Sequence, residues 1–165
     1  MSLLVTLLSP LWPYASTIQT LEMASTWFMV GLIWFVQIVH YPLMAHVPPE
    51  AFPAYERLHC QLTTYVVMPV MCLELACSVL RFTMDYVKWQ EAMAGEGVGE
   101  IADAFPYRSA LRLGLLLGVW GLTAFASVPS HGVLSTTWDA GVHAFLVKSN
   151  WGRTVLWTLR GYLLF

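Results

Sequence analysis

Histidine and glutamate side chains are concentrated in one short stretch between two apolar segments. Residues 40–59, HYPLMAHVPPEAFPAYERLH, contain three histidines and two glutamates. Within this stretch Glu56 and His59 form an E-x-x-H pair, and residues three apart lie on one face of a helix. Such a pair points two ligands the same way, as in di-metal carboxylate bundles. The stretch is therefore a candidate metal-binding corner.

Ligand-type side chains from later segments are expected at the same level. His131 follows the third apolar segment, and His143 lies in the first turns of the fourth. Each of the four predicted helices thus brings at least one ligand to the same end of a predicted helix bundle. The predicted metal ligands are His40, Glu56, His59, His131 and His143. Imidazole with carboxylate suits iron, copper, zinc or manganese, and the set alone does not choose among them.

Other side chains are predicted to surround these ligands without binding the metal. The residues expected to orient the ligands are Gln37, Tyr41, Tyr55 and Asn150. Tyr41 or Tyr55 is also a candidate redox partner. His46 lies in the turn and is predicted to be solvated. The three cysteines contain no C-x-x-C pair and are predicted to act as small apolar residues of the second helix.

A carboxylate and two arginines lie deep within apolar sequence. Glu74 falls in VVMPVMCLELACSVL, where an unpaired ionised carboxylate is costly and is normally paired or functional. At 1.5 Å per residue, Glu74 lies about 22 Å below His59, and Arg153 and Arg160 lie about 15 and 25 Å below His143. An arginine fork on a carboxylate suits a dry site. The sequence predicts a buried, structural ion pair between Glu74 and one of these arginines.

The composition indicates which solvent surrounds these segments. Of the 165 residues, 58% are hydrophobic and 11% are charged, whereas soluble proteins have about 25% charged residues. A membrane-spanning helix needs about 20 apolar residues, and lipid requires every backbone amide to be satisfied internally. We therefore predict an all-α transmembrane four-helix bundle in one integral membrane domain, residues 1–165. The net charge of −2 and the lack of a Lys/Arg cluster argue against nucleic acid as a partner.

The predicted spans follow from the apolar runs and the prolines. They cover residues of about 23–44, 53–82, 110–128 and 138–163. Pro42 and the Pro48-Pro49 pair are expected to end the first span, and Pro129 is expected to end the third. Gly114 and Gly118 form a G-x-x-x-G pattern, which permits close helix approach. Residues 1–21 have no charged side chain, and we predict a short interfacial or re-entrant helix rather than a cleaved signal peptide because the basic start is missing.

The largest polar stretch, residues 83–108, is predicted to be a loop with some helix around residues 84–93. The basic residues that flank or occupy this loop are Arg81, Lys88, Arg108 and Arg112. The positive-inside rule therefore predicts that it is cytoplasmic. With four spans, both termini are then cytoplasmic, and the first and third turns face outward.

Several motifs resemble those of a family of small uncharacterised bacterial integral membrane proteins. They are VQ-x-VHYPL from Val36, Y-x-x-x-H from Tyr55, P-x-M-x-x-E from Pro69 and NW-x-RT-x-x-W-x-x-R from Asn150. The resemblance covers most of the chain from about Trp27 and implies a four-span protein of the bacterial inner membrane. Its implied signature residues are these histidines with Glu74, Asn150, Trp151 and Arg153.

One position departs from the pattern of that family. The usual second-helix motif is Y-H-x-x-H, and this chain has Glu56 where the first histidine stands. One ligand type replaces another, which favours a metal-binding role for this position. The family has no established activity, so the resemblance implies no reaction.

Three function classes remain open from the sequence. The first is a membrane metalloprotein, of which an oxidoreductase that acts on a lipophilic or small substrate is one form. The second is a non-catalytic transmembrane subunit of a larger respiratory or photosynthetic complex, in which a histidine ligates a haem or a chlorophyll. The third is a small transporter or proton relay that uses Glu74 and the arginines. The expected partners are the lipid bilayer and, for the second class, other membrane subunits.

Overall fold

The computed structural model describes residues 3–95 and 105–164, and these residues form helices joined by short turns. No strand occurs in the described part of the chain. The predicted all-α fold is therefore confirmed. Three helical segments are long and apolar enough to cross a membrane: Thr6–Met44, Phe52–Met93 and Tyr107–Leu134. The last helix, Ala140–Tyr162, is more polar.

The first segment contains several helical elements in continuous succession. Helix α1 (Leu3–Leu8) leads through a 3₁₀ turn (Ser9–Tyr14) into α2 (Ala15–Phe35), and a π turn (Val36–His40) leads into α3 (Tyr41–Met44). The 3₁₀ turn contains Pro10 and Pro13. Near the start, Leu8 and Ile18 share an apolar cluster with residues of the following long helix. The N-terminal helix therefore packs against the bundle.

Two prolines at which the sequence predicts that a helix stops are preceded by π turns, and the first helical segment still ends at Met44, the predicted end of the first span. The Tyr41 N–H donates to the Val36 carbonyl, five residues back, and Pro42 follows. Proline lacks an N–H, and its ring crowds the carbonyl four residues earlier, so a wider turn relieves both problems. A second π turn, Thr123–Ser127, precedes Pro129 in the same way. The helix then continues to Leu134 rather than ending at residue 128.

The second long helix, α4 (Phe52–Met93), extends beyond the predicted span. Residues 83–93, for which the sequence predicts some helix within a loop, are its last turns, and residues 96–104 of the predicted loop lie outside the described residues. Helix α5 (Tyr107–Leu122) follows, and the second π turn joins it to α6 (Val128–Leu134). Helix α7 (Ala140–Tyr162) begins at Asp139, whose carboxylate accepts the Val142 N–H at 2.9 Å and caps the helix.

The long helices form a ring in which each contacts two neighbours. Helix α2 packs against α4 and α7, and α5 packs against the same two. Apolar clusters fill the bundle at three levels along its axis. The cluster nearest the turns at residues 45–51 and 135–139 contains Tyr41, Met44, Phe52, Leu134 and Leu146. The ends of the helices that carry the candidate ligands are thus held at one end of the bundle.

Candidate metal centre

The two π turns lie next to two of the candidate ligands. His40 is the last residue of the first π turn, and His131 lies in α6, four residues after the second. π turns are rare and occur frequently at functional sites because they redirect the side chains that follow. Glu56 and His59 face these histidines from the first turns of α4.

A hydrogen-bonded chain links three of these helices. The completely buried Glu56 carboxylate makes a short contact with His131 Nδ1, and the Tyr41 hydroxyl lies 3.2 Å from His131 Nε2. An ionised carboxylate only accepts hydrogen bonds, so His131 Nδ1 donates to Glu56, and the other ring nitrogen contacts the Tyr41 hydroxyl. The order Tyr41, His131, Glu56 therefore fixes the imidazole at both nitrogens.

Glu56, Cys60 and His131 form a group that could hold a metal ion. Their ligand atoms all lie within 4.8 Å of one another. The Cys60 thiol donates to Glu56 Oε1 over 3.5 Å. The second carboxylate oxygen, Glu56 Oε2, is buried and has no hydrogen-bond partner. A buried carboxylate oxygen without a donor is unusual in a folded protein, and it leaves a lone pair free for a cation.

Two more histidines stand beside this group. The His59 ring lies with its centroid 5.6 Å from that of His131 and 4.5 Å from that of His40. His59 Nδ1 lies 3.1 Å from the Thr63 hydroxyl, which orients the ring. His40 Nε2 is buried and has no hydrogen-bond partner. Four of the five predicted ligands are therefore neighbours in the structure.

The fifth predicted ligand, His143, points elsewhere. Its Nε2 lies 3.0 Å from the Tyr41 carbonyl oxygen, and its ring contacts Trp138 at a centroid distance of 5.2 Å. A carbonyl oxygen only accepts hydrogen bonds, so Nε2 carries the proton and only Nδ1 of His143 could bind a metal. His143 is close in level to the other histidines, but the rotation of α7 turns it onto the backbone of α3. We leave it out of the candidate ligand set.

The residues predicted to orient the ligands divide into two groups. Tyr41 bonds His131 directly, and the Tyr55 ring stacks against His59 with centroids 6.3 Å apart. Gln37 and Asn150 instead bond each other, with Asn150 Nδ2 donating to Gln37 Oε1 at 2.8 Å. The predicted support from Gln37 and Asn150 is thus not a direct contact with the ligands.

Cys60 is the ligand candidate that the sequence analysis missed. It stands four residues after Glu56, and residues four apart share a helix face. That spacing was the available signal, but a cysteine in an apolar helix is usually a packing residue. Cys60 differs from the other two cysteines because His131, on another helix, lies beside it and Glu56.

Below the candidate metal centre, a cavity of about 470 Å³ opens between the helices. Apolar side chains form most of its wall, among them Met29, Ile33, Val67 and Met71. The polar residues of the wall include Tyr41, His59, Cys60, His131 and Arg153. Its volume falls within the roughly 300–1,000 Å³ that is typical of small-molecule sites.

The buried charges at the other end of the bundle are centred on Arg160. Arg160 Nε donates to Glu74 Oε1, and Arg160 Nη2 donates to Glu22 Oε1, both at 3.0 Å. All three side chains are almost completely buried. The depths predicted from the sequence allow Glu74 to pair with either Arg153 or Arg160, and in the structure it pairs with Arg160. Glu22, just before the predicted first span, was not anticipated as a second carboxylate of this site.

The chain matches no protein-family model, no curated protein and no solved structure. The resemblance to a family of small bacterial membrane proteins therefore stays a prediction.

Proposed function

We propose that this chain is an integral membrane metalloprotein whose metal centre is built from Glu56, Cys60 and His131. The observation that carries the proposal is the approach of one oxygen, one sulfur and one nitrogen ligand atom to within 4.8 Å of one another. His59 and His40 supply further imidazoles beside them. The free lone pair on Glu56 Oε2 and the unpartnered His40 Nε2 support the same reading.

The ligand set narrows the choice of metal. Carboxylate and imidazole alone suit iron, copper, zinc or manganese, whereas a thiolate favours the softer ions. With Cys60 as a ligand, zinc, copper or iron fits better than manganese. Metal ligands must be deprotonated at the atom that binds. Metal binding through His131 Nδ1 and Cys60 Sγ therefore displaces the proton that His131 donates to Glu56 and the proton of the Cys60 thiol.

The position of the centre supports a role in oxidoreduction. A redox-active ion here would lie beside Tyr41, whose hydroxyl contacts His131, and above an apolar cavity. We propose that the cavity admits a lipophilic substrate to the ion and that the dry surroundings exclude water from it. This arrangement favours a membrane oxidoreductase over a transporter that uses Glu74, because both oxygens of the Glu74 carboxylate already accept hydrogen bonds from Arg160, Thr26 and Trp157.

The same proposal includes the location and topology of the chain. We propose four spans in the bacterial inner membrane with both termini in the cytoplasm. Helix α7 as the fourth span is supported by the distribution of its side chains. Arg153 and Arg160 are buried against the bundle, whereas Phe145, Val155 and Leu159 form part of an exposed apolar face. Such a face is suited to lipid.

The test is the metal content of the detergent-purified protein, measured by mass spectrometry after expression with iron, copper, zinc and manganese supplied. We expect close to one ion per chain in the natural sequence and loss of most of it in Glu56→Gln and in His131→Ala. The matched control is His46→Ala, because His46 is exposed in the turn. It should retain the ion.

The same samples separate the alternatives. His143→Ala should also retain the ion, since His143 bonds a backbone carbonyl. Absence of a stoichiometric ion from the natural sequence would contradict the proposal. A tetrapyrrole absorbance band in the purified protein would contradict it too, and would favour the complex subunit that ligates a haem or a chlorophyll.

A further inference from the structure

Arg153 carries a positive charge in the interior of the bundle without a carboxylate to neutralise it. Its side chain is 8% exposed. Within residues 3–95 and 105–164, no acidic side chain forms an ion pair with it. The buried carboxylates are engaged elsewhere: Glu56 contacts His131, and the other two contact Arg160.

The contacts that Arg153 does make are all with neutral groups. Arg153 Nη1 donates to Ser127 Oγ at 3.0 Å and to Asn150 Oδ1 at 3.2 Å. The guanidinium carbon lies 5.3 Å from the centre of the Trp157 ring. The Tyr41 side chain is a further electrostatic neighbour. Arg153 Nε is buried and has no hydrogen-bond partner.

Arginine remains charged in proteins, so its burial calls for a compensating anion. The guanidinium is a planar fork that matches a carboxylate in two parallel hydrogen bonds. Arg153 lines the cavity below the candidate metal centre. An anion bound in that cavity could supply the missing charge.

The rest of the cavity is suited to a hydrocarbon chain. Its wall is mainly apolar and includes Leu32, Ile33, Val67 and Met71. Met68 and Val128 also line it, and both are exposed on the apolar surface of the bundle. The cavity therefore opens toward the side of the bundle, where a chain could enter from lipid.

We propose that this cavity binds a single-chain lipophile with a carboxylate headgroup, such as a long-chain fatty acid, and that Arg153 holds the headgroup. One arginine balances the single negative charge of a carboxylate. A phosphate monoester carries about −1.5 to −2 at neutral pH and would leave part of its charge unbalanced. The cavity volume of about 470 Å³ accommodates one chain within the usual range of ligand sites.

The inference is independent of a metal at Glu56, because it depends on Arg153 and the apolar wall. His131 and Cys60 line the same cavity, so a bound lipophile would lie beside the candidate metal centre. The binding test uses the purified full chain with its metal content recorded. A protein that binds the lipophile without a metal, or a metal without the lipophile, would separate the two proposals.

The experiment measures binding of radiolabelled palmitate to immobilised protein in a non-ionic detergent at pH 9, where carboxylates are ionised. Unlabelled palmitate and hexadecanol, which has the same chain and a neutral head, serve as competitors. We expect saturable binding that palmitate displaces and hexadecanol displaces poorly. Arg153→Gln should weaken palmitate binding roughly 10- to 100-fold, the effect of losing a charged hydrogen-bond partner.

Two further variants make the result decisive. Arg108→Gln removes one exposed positive charge outside the cavity and should bind palmitate like the natural sequence. Val67→Phe keeps Arg153 but fills part of the cavity, and it should also weaken binding. If Arg153→Gln does not fold, the proposal is still tested by palmitate binding to Val67→Phe and by displacement of palmitate from the natural sequence by the two competitors. Absence of saturable palmitate binding, equal displacement by hexadecanol, or natural affinity in Arg153→Gln or Val67→Phe would overturn the proposal.

Discussion

At the scale of single residues, the two carboxylates that contact Arg160 are held very differently. Both oxygens of Glu74 are occupied: Oε1 accepts from Thr26 at 2.7 Å and from Arg160 at 3.0 Å, and Oε2 accepts from Trp157 at 3.0 Å. Glu22 uses only Oε1, which accepts from Ser78 and Arg160. Glu22 Oε2 has no partner. The two positions should therefore differ in their tolerance of an amide.

We predict that Glu74→Gln destabilises the protein by about 1–3 kcal/mol, the usual cost of leaving a buried donor unsatisfied. In either orientation of its amide, a glutamine at position 74 would place its NH₂ group against a hydrogen-bond donor. Glu22→Gln should cost clearly less, because its NH₂ group can occupy the place of the unpartnered oxygen. The measurement is the midpoint of thermal unfolding in detergent. Equal losses in the two variants would contradict this assignment of hydrogen bonds.

The level of the candidate ligands along the bundle axis could be predicted from residue type and spacing. His40, Glu56, His59 and His131 are neighbours in the structure because each follows or precedes a turn at the same end of the bundle. Sequence spacing gives this level along the axis. It does not give the rotation of each helix, and rotation separates His143 from the group.

At the scale of helices, the contact on a rigid side chain involves a glycine that the sequence pattern did not single out, Gly161. Gly114 and Gly118 form the G-x-x-x-G pattern, but a Cβ at position 114 would meet nothing within 4 Å. A Cβ at position 118 would lie 3.1 Å from a Leu156 methyl group. At position 161, a Cβ would lie 3.3 Å from the Trp27 ring and 3.4 Å from Val30. The closest packing on a rigid side chain is therefore between α7 and α2.

We predict that Gly161→Val destabilises the bundle, because its side chain would push α7 away from the Trp27 ring and Val30. Overpacking of this kind typically costs about 1–3 kcal/mol. The matched control is Gly114→Val, which places the same side chain on an open helix face. Thermal unfolding in detergent should show a lower midpoint for the first variant and little change for the second. A comparable loss at position 114 would indicate that its face is covered.

The π turns are the second feature at this scale. Each is followed by a proline; the first ends at the candidate ligand His40, and the second lies just before the helix that carries His131. The sequence correctly marks Pro42 and Pro129 as positions where a regular α-helix fails. It does not reveal that the chain continues as a helix, because tertiary packing of the following turns stabilises the irregular backbone.

At the scale of the whole molecule, the two ends of the bundle differ in chemistry. The candidate metal centre lies near the turns at residues 45–51 and 135–139, and the Arg160 ion pairs lie toward the other end. Arg81, Arg108 and Arg112 border a second cavity at that end, of about 530 Å³. The concentration of basic residues is the basis for the proposed orientation.

This orientation can be tested with single cysteines in a variant that lacks Cys60, Cys72 and Cys77. We predict that a membrane-impermeant maleimide labels His46→Cys and Thr136→Cys in intact spheroplasts, because both turns should face outward. Arg108→Cys should be labelled only after lysis. All three positions are exposed in the structure. Labelling of residue 46 and residue 136 on opposite sides would contradict four spans, and a reversed pattern would contradict the orientation.

The sequence by itself determined the helical class, the membrane solvent and the level of the polar residues. These properties follow from composition and from the fixed rise of 1.5 Å per residue, which are local. Three of the long apolar helices and the pairing of a deep carboxylate with an arginine needed no tertiary information beyond that.

Only the tertiary structure decided which side chains meet. It selected Arg160 over Arg153 for Glu74, added Glu22 to that site, brought Cys60 beside Glu56 and turned His143 onto the backbone of Tyr41. Each of these outcomes depends on the rotation of one helix about its axis and on its choice of neighbours. Packing of side chains from distant segments sets both, and neither is encoded in the spacing within one segment.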